Sequence, residues 1–459
     1  MGLSGCEGEF AGNRPFDLKK LNRPFGMRWT TIEGARYLGV TNTNGGGLAS
    51  SGSLQFYDLS SDNFVLKEEI SLAIPSNVLD FYFDDDLDRL FILDRNENRV
   101  LIYELAGGSF VPRKDAKGSP VSIELMGNPI SLTEWTRDFT DPTQASYLAI
   151  LTEGTGSIQF LNRESLDLFD LNDFKELPGA KASPNSIKVQ GTQVNQIGAL
   201  LQMEGRTSRD RLREISGGEA AGRGAGKILA QTTLVQNNPL FVVASFLDEA
   251  IFSFRFYDFD NISNLLFNPR TAIRGAKGVK GTKEDGFQGF DRDLANDFYF
   301  SLRSNNLIYK VPGSELSRER DSTSKGNTTV LAQDEGGDFE KNISFGGSGV
   351  NPAIGRFARL GDLVVNGQGA NSGGSATRAW VLGLEDDKLG ATQSRVYSVD
   401  LGSDSVSEIE TFPENTKPQK LIFDPIGLRL IVAATGSDRL YLYDVSGAGF
   451  ELKSSLENP

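Results

Sequence analysis

Histidine is absent from this chain of 459 residues, and Cys6 is its only cysteine. Without histidine there is no imidazole general base, no Ser-His-Asp triad and no histidine-ligated metal site. A single cysteine excludes an intramolecular disulfide framework and a CxxC metal or redox site. No run of about 18 apolar residues is present, so the sequence predicts no membrane-spanning helix.

The charge and composition favour a hydrophilic protein made of strands. The chain has 47 basic and 61 acidic residues and a net charge of −14, which argues against general nucleic-acid binding. It contains 51 glycines and 30 phenylalanines. The apolar runs are short, rich in Val, Ile, Phe, Tyr and Leu, and separated by Asn, Asp, Gly and Ser, a pattern that predicts strands and turns.

Two stretches of the chain align without a gap. The segment from Asp80 to Leu105 matches the segment from Lys420 to Val445, and six of the 26 aligned positions are identical. The identical pairs are Phe83/Phe423, Asp84/Asp424, Arg89/Arg429, Leu90/Leu430, Arg99/Arg439 and Tyr103/Tyr443. Each copy predicts three strands joined by two tight turns, and together they indicate an internal repeat.

Further copies of the central hairpin occur along the chain. They begin near Tyr37, Tyr147, Leu240, Asp297 and Ala379, with a weaker candidate at Gly198 paired with a strand at Arg211. The total is eight hairpins, or seven if the one at Gly198 is an insertion. Such sheets bury both faces only when they are repeated around an axis. The sequence therefore predicts an all-β fold, a β-propeller with eight, alternatively seven, four-stranded blades around a central channel.

The last repeat resembles those of the Tyr-Val-Thr-Asn and lactonase-like propellers, in the form KPQKLIFDPIGLRLIVAATGSDRLYLYDV. The resemblance is clear for this repeat and fair for the one at Asp80. It implies the fold and not an activity. We expect a tether over residues 1–25, a single propeller domain over 26–459, and long loops at 204–227, 268–286 and 334–378.

Two of these loops concentrate positive charge in an acidic protein. The cations of the first are Arg206, Arg209, Arg211, Arg213, Arg223 and Lys227. Those of the second are Arg270, Arg274, Lys277, Lys280 and Lys283. They are candidates for binding an anionic head group, a glycan phosphate or an acidic protein; the alternative is a solvated loop. The third loop is rich in glycine and predicts a lid or a docking segment.

The chain begins with a short motif around its cysteine. Residues Leu3 to Cys6 are Leu-Ser-Gly-Cys, which resembles the lipobox of bacterial lipoproteins, and this implies that the sulfur of Cys6 carries a lipid. Only five residues precede Cys6, so we expect an apolar signal segment upstream in the precursor. In the resemblance to enterobacterial sorting, Glu7 implies the outer membrane. An incidental free cysteine and a myristoylation signal at Met1-Gly2 are the alternatives.

One carboxylate cluster could hold a metal. Asp84, Asp85, Asp86 and Asp88 could ligate Ca²⁺ through oxygen atoms, although the aligned segment from Asp424 is an ordinary turn between strands. We therefore favour a turn, with calcium as the alternative. No catalytic residue and no other cofactor is predicted.

Two classes of function follow. The first is a lipid-anchored binding or scaffold protein of the bacterial envelope, a monomer that presents a propeller face to a protein or an anionic glycan. The second is a metal-assisted hydrolase or lactonase of the propeller type. The first is preferred because no convergent catalytic set can be named.

Overall fold

The computed structural model describes most of the first third and the last fifth of the chain, and separate strands between them. The described residues are 17–43, 51–125, 127–136, 146–153, 158–170, 175–176, 225–230, 240–245, 250–257, 266–274, 287–293, 297–302, 307–312, 330–331, 341–344, 360–366, 376–384, 393–403, 405–447 and 450–457. Within these ranges every regular secondary-structure element is a β-strand, and none is a helix. The described strands form seven sheets.

Sheets 1 to 3 occupy the first third of the chain. Sheet 1 consists of β1 (Pro24–Ile32), β2 (Ala35–Asn42), β3 (Gly52–Asp58), β4 (Val65–Leu66) and β5 (Leu72–Ile74). Sheet 2 consists of β6 (Val78–Asp84), β7 (Arg89–Asp94), β8 (Arg99–Ala106), β9 (Ser109–Pro112) and β10 (Ser122–Glu124). Sheet 3 consists of β11 (Asn128–Thr136), β12 (Ser146–Glu153), β13 (Ile158–Asn162) and β14 (Leu168–Asp170).

Sheets 4 and 5 follow. Sheet 4 consists of β15 (Lys175–Glu176), β16 (Ala225–Ala230), β17 (Leu240–Ser245), β18 (Ala250–Tyr257), β19 (Leu266–Arg274) and β23 (Val330–Leu331). Its two-residue strands β15 and β23 pair with β19 in parallel. Sheet 5 consists of β20 (Phe287–Arg292), β21 (Asp297–Leu302), β22 (Leu307–Pro312) and β24 (Lys341–Ser344).

Sheets 6 and 7 complete the described strands. Sheet 6 consists of β25 (Leu360–Val365), β26 (Arg378–Gly383), β27 (Arg395–Asp400) and β28 (Ser405–Thr411). Sheet 7 consists of β29 (Pro418–Asp424), β30 (Arg429–Ala434), β31 (Arg439–Asp444) and β32 (Glu451–Leu456).

In each sheet one strand comes directly before the central hairpin in the chain and pairs with its nearer strand, and we call it the first strand of that sheet. The first strands are β1, β6, β11, β16, β20, β25 and β29. Each shows a register shift against its partner near its start, as between Val78 and Phe81 in β6 and between Pro418 and Lys420 in β29. A bulge of this kind bends the strand and increases its twist. The repeat is therefore visible in the backbone of all seven sheets.

The first strands also lie side by side. Each is next to the first strand of the following sheet, and β1 is next to β29. Apolar side chains fill the space between sheet faces, as where Phe56 and Ile74 of sheet 1 pack with Phe81 and Ile92 of sheet 2. The first and last sheets share a core as well, with Leu38 and Val40 packed against Ile431 and Leu442. The described fold is all-β and propeller-like.

The sequence located the central hairpins well. Seven of the eight predicted hairpins are the second and third strands of the seven sheets. The eighth, at Gly198, lies outside the described residues. The two aligned copies have the same register, because Phe83 pairs with Leu90 and Leu90 with Tyr103 as their counterparts do in sheet 7.

Several predicted boundaries were wrong. The tether was placed up to residue 25, but β1 begins at Pro24 and the preceding Leu21 is buried. The first predicted loop was extended to Lys227, but Lys227 lies in β16. The second was predicted to begin at residue 268, but residues 268–274 lie in β19. The segment 334–378 was predicted to be a loop, yet it contains β24 and β25. All six residues of β25 are buried, because this strand lies between the first strands of sheets 5 and 7.

Candidate functional site

Most of the predicted cationic site lies outside the described residues, and so does the predicted anchor. The residues concerned are Cys6, Arg206, Arg209, Arg211, Arg213, Arg223, Lys277, Lys280 and Lys283. Three predicted cations belong to strands and not to loops. Lys227 lies in the first strand of sheet 4, and Arg270 and Arg274 lie in β19.

The register of sheet 4 places the start of β16 and the end of β19 at the same end of the sheet. Ala225, at the start of β16, pairs with Ser245, and Arg274, at the end of β19, pairs with Ala250. Because β17 ends at Ser245 and β18 begins at Ala250, all four residues lie at one end of the sheet. We call the end of a sheet at which its first strand begins the leading end. The opposite end of the sheet is the trailing end. The segment before β16 and the segment after β19 both join the sheet at its leading end.

The predicted calcium ligands lie in the turn after β6. Oxygen atoms of Asp84, Asp85 and Asp86 come within 4.8 Å of one another, but only Asp84 is buried. Its Oδ1 accepts backbone N–H groups of Asp86 and Leu87 at 3.2 and 3.3 Å. Asp88 has φ = 48° and ends the turn in the left-handed conformation. This arrangement is that of a side chain capping a turn.

The other oxygen of Asp84 forms an ion pair with the next sheet. Arg163, which follows β13 in sheet 3, places Nη1 2.9 Å from Asp84 Oδ2. The same nitrogen lies 3.2 Å from a carboxylate oxygen of Glu134 and 2.8 Å from the hydroxyl of Tyr82. Burial raises the pKa of Asp84, and the charge of Arg163 opposes that shift. The buried carboxylate of the cluster therefore links two sheets.

The turn after β29 makes the corresponding contacts with sheet 1. Asp424 is 3% exposed and is paired with Arg36, whose guanidinium also lies 4.2 Å from the ring centre of Trp29. The Trp29 ring N–H donates to the carbonyl of Phe423 at 3.0 Å. The aligned arginines match too: Arg89 donates to a carbonyl just after β13, and Arg429 donates to one just after β3.

Carboxylates near the bulges satisfy the backbone of neighbouring first strands. Asp80 accepts the N–H of Leu132 at 3.0 Å, and Asp362 accepts that of Leu421 at 3.0 Å. The first strand is at the edge of its sheet, so its N–H groups need partners from elsewhere. Sequence reasoning missed these two residues, and the one available signal was an acidic residue inside an apolar run.

Two cations accompany these carboxylates. The Nη2 atom of Arg28 lies 3.1 and 3.2 Å from the two oxygens of Asp80 and also donates to the carbonyl of Leu132. Lys420 places Nζ 3.9 Å from Asp362 Oδ1. The four side chains are 8 to 29% exposed. They form two ion pairs beside the first strands, each used in contacts between sheets.

The residues before β1 form a short strap across the leading end of sheet 1. We define the strap as residues 17–23. The side chain of Gln55 donates to the carbonyls of Leu18 and Lys20, and the N–H of Asn22 donates to Asn42. Leu21 is 2% exposed and packs in the core between sheets 1 and 7. The N–H of Arg23 donates to Asp438 of sheet 7 at 2.7 Å.

Exposed apolar residues lie at the opposite end. Ile426 is 78% exposed and Leu428 is 41% exposed, both in the turn between β29 and β30. Val65, Val111 and Leu452 are also exposed, and they lie in the strands β4, β9 and β32, respectively. All five are at the trailing ends of sheets 1, 2 and 7.

Comparisons with known proteins show the fold alone. No family model and no curated protein matches the sequence. A protein from Lactobacillus plantarum is 11% identical, with 95% of each chain covered and a TM-score of 0.50. Sqt1 of Saccharomyces cerevisiae is 11% identical, with 96% of this chain and 87% of that chain covered, also at 0.50. The periplasmic gluconolactonase PpgL of Pseudomonas aeruginosa is 14% identical at 0.47, over 89% and 92% of the two chains.

The described ranges contain no helix with the length and apolar character needed to cross a bilayer. The two structures with a TM-score of 0.50 share the overall fold of this chain at 11% sequence identity.

Proposed function

We propose that this protein is a lipid-anchored binding or scaffold protein of the bacterial cell envelope, with a closed propeller of seven blades as its body. The order of the first strands supports closure, since β1 lies beside both β6 and β29. Cys6 carries the lipid, and Glu7 directs the protein to the outer membrane, as the lipobox resemblance implies. The partner is an anionic component of the envelope, either a glycan or an acidic protein surface.

The register of sheet 4 is the observation that supports this choice of binding surface. Eight of the eleven Arg and Lys residues belong to the segments before β16 and after β19. The strands β16 to β19 separate these two segments in the sequence, yet both segments join the sheet at its leading end. In a protein of net charge −14, such a concentration of positive charge attracts anions to one place. Contacts of this kind weaken as the Debye length falls to about 3 Å at 1 M salt.

Charge reversal tests the binding surface. Arg206, Arg209, Arg211 and Arg213 are replaced by Glu. A control variant carries Glu at Lys114 and Lys117, which are exposed and lie between β9 and β10. We expect both variants to melt like the wild type, because exposed charges contribute little to stability. Only the first should lose partners recovered by cross-linking in cells. Recovery of the same partners by both variants would mean that the basic segments are solvated loops that do not bind the partner.

The anchor is tested separately. Cys6→Ala should release the protein from the membrane fraction, and mass spectrometry of the wild type should show a lipid on Cys6. Membrane partitioning of Cys6→Ala with no lipid on the wild type would contradict the anchor. The proposal for the binding surface would then still be tested by the charge-reversal variants.

The hydrolase alternative has less support. It requires a metal held by carboxylates, and the cluster at Asp84 was the candidate for it. Asp84 is the buried member of that cluster, and its two oxygens contact Arg163 and the N–H groups of its own turn. These contacts account for its position without a metal.

A further inference from the structure

The turn between β29 and β30 has two aliphatic side chains that do not contribute to the core. Ile426 is 78% exposed and Leu428 is 41% exposed. In the described part of the chain, neither belongs to an apolar core between sheets. Single exposed aliphatic residues are common on protein surfaces, so their exposure alone indicates little. The internal repeat allows a stricter comparison.

The aligned turn between β6 and β7 has the same backbone but acidic side chains. Ile426 and Leu428 occupy the positions of Asp86 and Asp88, which are both exposed. The φ angle is 49° at Leu428 and 48° at Asp88. The N–H groups of Ile426 and Asp86 each donate to the aspartate two residues earlier, at 3.0 and 3.2 Å. Because this turn forms with carboxylates at both positions, the fold does not require aliphatic residues there.

Leu428 also has an unfavourable backbone conformation. Asn, Asp and Gly adopt the left-handed region readily, but a bulky residue rarely does. Leu166 is the other leucine with a positive φ among the described residues, and it packs against the core shared by sheets 2 and 3. Leu428 belongs to none of the described cores. A residue that opposes the local preference of the fold in this way is typical of a binding site.

The turn from 425 to 428 lies between two turns of sheet 1. Asp424, which precedes it, pairs with Arg36 after the turn between β1 and β2. Arg429, which follows it, places Nη2 2.5 Å from Asp62 in the turn between β3 and β4. The two aliphatic side chains are therefore held in a fixed place at the trailing ends of sheets 1 and 7.

The surroundings of this pair are acidic. The described turns at the trailing ends of sheets 1, 2, 3 and 7 contain one cation, Arg163, which is 8% exposed and paired with Asp84. The arginines at the adjoining strand ends contact carboxylates or carbonyls of the next sheet. The same turns contain seven carboxylates, all of them exposed: Glu33, Asp62, Asp85, Asp86, Asp88, Glu164 and Asp167. This end of the four sheets therefore has a net negative charge.

We propose that the turn from 425 to 428 is a docking site for a protein segment in which apolar side chains lie next to Lys or Arg. Ile426 and Leu428 bury the apolar side chains of that segment. The surrounding carboxylates attract its cations and repel anionic glycans and lipids. This surface differs from the basic segments of sheet 4 in both position and charge. The inference therefore depends neither on the anchor at Cys6 nor on the anionic partner, and it adds a basic protein as a second partner of the scaffold.

A displayed library of random peptides is the probe for this site. Peptides are selected on the full chain after removal of those that bind the double variant Ile426→Ser, Leu428→Asn. This variant keeps the net charge, and Asn adopts the left-handed conformation readily. We expect the selected peptides to combine Leu, Ile, Phe or Trp with adjacent Lys or Arg. Failure to select any peptide, or selection of peptides without basic residues, would overturn the proposal.

Fluorescence anisotropy then measures the affinity of the selected peptides for the variants. The double variant should bind them at least about tenfold more weakly, because truncation of a central apolar contact commonly costs that much. Glu33→Gln and a rise to about 1 M salt should each weaken binding a few-fold. Val111→Ser, which changes an exposed apolar residue at the trailing end of sheet 2, is the matched control and should bind like the wild type.

Two further measurements separate docking from folding and from the proposed function. The double variant should melt at the wild-type temperature or above, because Asn relieves the backbone at position 428. A lower melting temperature together with lost binding would assign the turn to folding and overturn the proposal. Charge reversal at Arg206, Arg209, Arg211 and Arg213 should leave peptide binding unchanged, whatever it does to the anionic partner. Loss of peptide binding in that variant would place the peptides on the basic segments and would also overturn the docking site.

Discussion

At the scale of single residues, buried charges connect neighbouring sheets. Asp84 is fully buried and Arg163 is 8% exposed, and each would be costly to bury without the other. Asp424 and Arg36 form the corresponding pair between the last sheet and the first. Since both aspartates also cap their own turns, one side chain fixes a local bend and a contact with another sheet.

Removing the charge of Asp84 should therefore destabilise the fold. In Asp84→Asn the shape is kept, but Glu134, whose side chain is 35% exposed, becomes the carboxylate that remains beside Arg163. We expect the free energy of unfolding to fall by roughly 3 kcal/mol. Asp85→Asn, in the same turn but exposed, should change it by less than about 0.5 kcal/mol. Urea denaturation measures both.

The same pair of variants distinguishes the calcium alternative. If the ion pair explains Asp84, added Ca²⁺ should not change the unfolding midpoint of the wild type. Stabilisation by Ca²⁺ that is lost in Asp85→Asn as well as in Asp84→Asn would contradict the present interpretation and restore a metal site at this turn.

At the scale of the element, the turn after the third strand repeats one device. Asp58, Asp400 and Asp444 end β3, β27 and β31, and each accepts a backbone N–H from the turn that follows, at 2.8 to 2.9 Å. In sheet 3 the residue at this position is Asn162, which accepts two such bonds. Hydrogen bonds from Ser60, Ser403 and Ser446 lower the pKa of the respective aspartates.

These lowered pKa values predict an acid-sensitive contribution to stability. A carboxylate whose pKa is lower in the folded state stabilises the fold above its unfolded pKa of about 3.9 and loses that effect as the pH falls through the folded pKa. The triple replacement of Asp58, Asp400 and Asp444 by Asn should keep the turns, as Asn162 does, and should unfold with a shallower pH dependence below about pH 4. Unfolding curves at a series of pH values measure this. An unchanged slope would show that these turns do not contribute.

At the scale of the whole molecule, the contact between the first and last sheets determines whether the strands form a ring. The strap, Trp29 and Arg36 of sheet 1 all contact residues of sheet 7, which lie 388 to 415 positions away in the chain. A ring leaves no first or last blade with an exposed face. Loss of this contact would expose the cores of both sheets.

Leu21 tests the importance of that contact. Leu21→Ala removes a buried side chain at the junction, and we expect the free energy of unfolding to fall by about 2–5 kcal/mol. Leu452→Ala, in the last sheet and 48% exposed, is the matched control and should cost much less. Thermal or urea unfolding of the full chain measures both. Equal effects would mean that the strap does not contribute to the contact between sheets 1 and 7.

The sequence by itself determined the class of fold and the position of most hairpins. The second and third strands of each sheet have alternating or continuous apolar residues and short polar turns, so a local pattern identifies them. Two copies could even be aligned residue by residue. The first strands were harder to recognise, because a bulge interrupts the alternation of apolar and polar residues. In addition, residues such as Asp362 and Gly26 meet the needs of a neighbouring sheet, which a local pattern does not show. At Gly26 a side chain would come within 2.3 Å of the carbonyl oxygen of Leu79 in the next sheet.

Only the tertiary structure decided what the charged residues do. The sequence placed Asp84 in a turn or at a metal site, and its ion pair with Arg163 depends on a residue 79 positions later in a different sheet. The sequence predicted that two basic loops form one positive patch, and the register of sheet 4 adds that β16 begins and β19 ends at the same end of that sheet. A local pattern records which strands form, but the faces that pack and the ends that meet are determined by residues far apart in the chain.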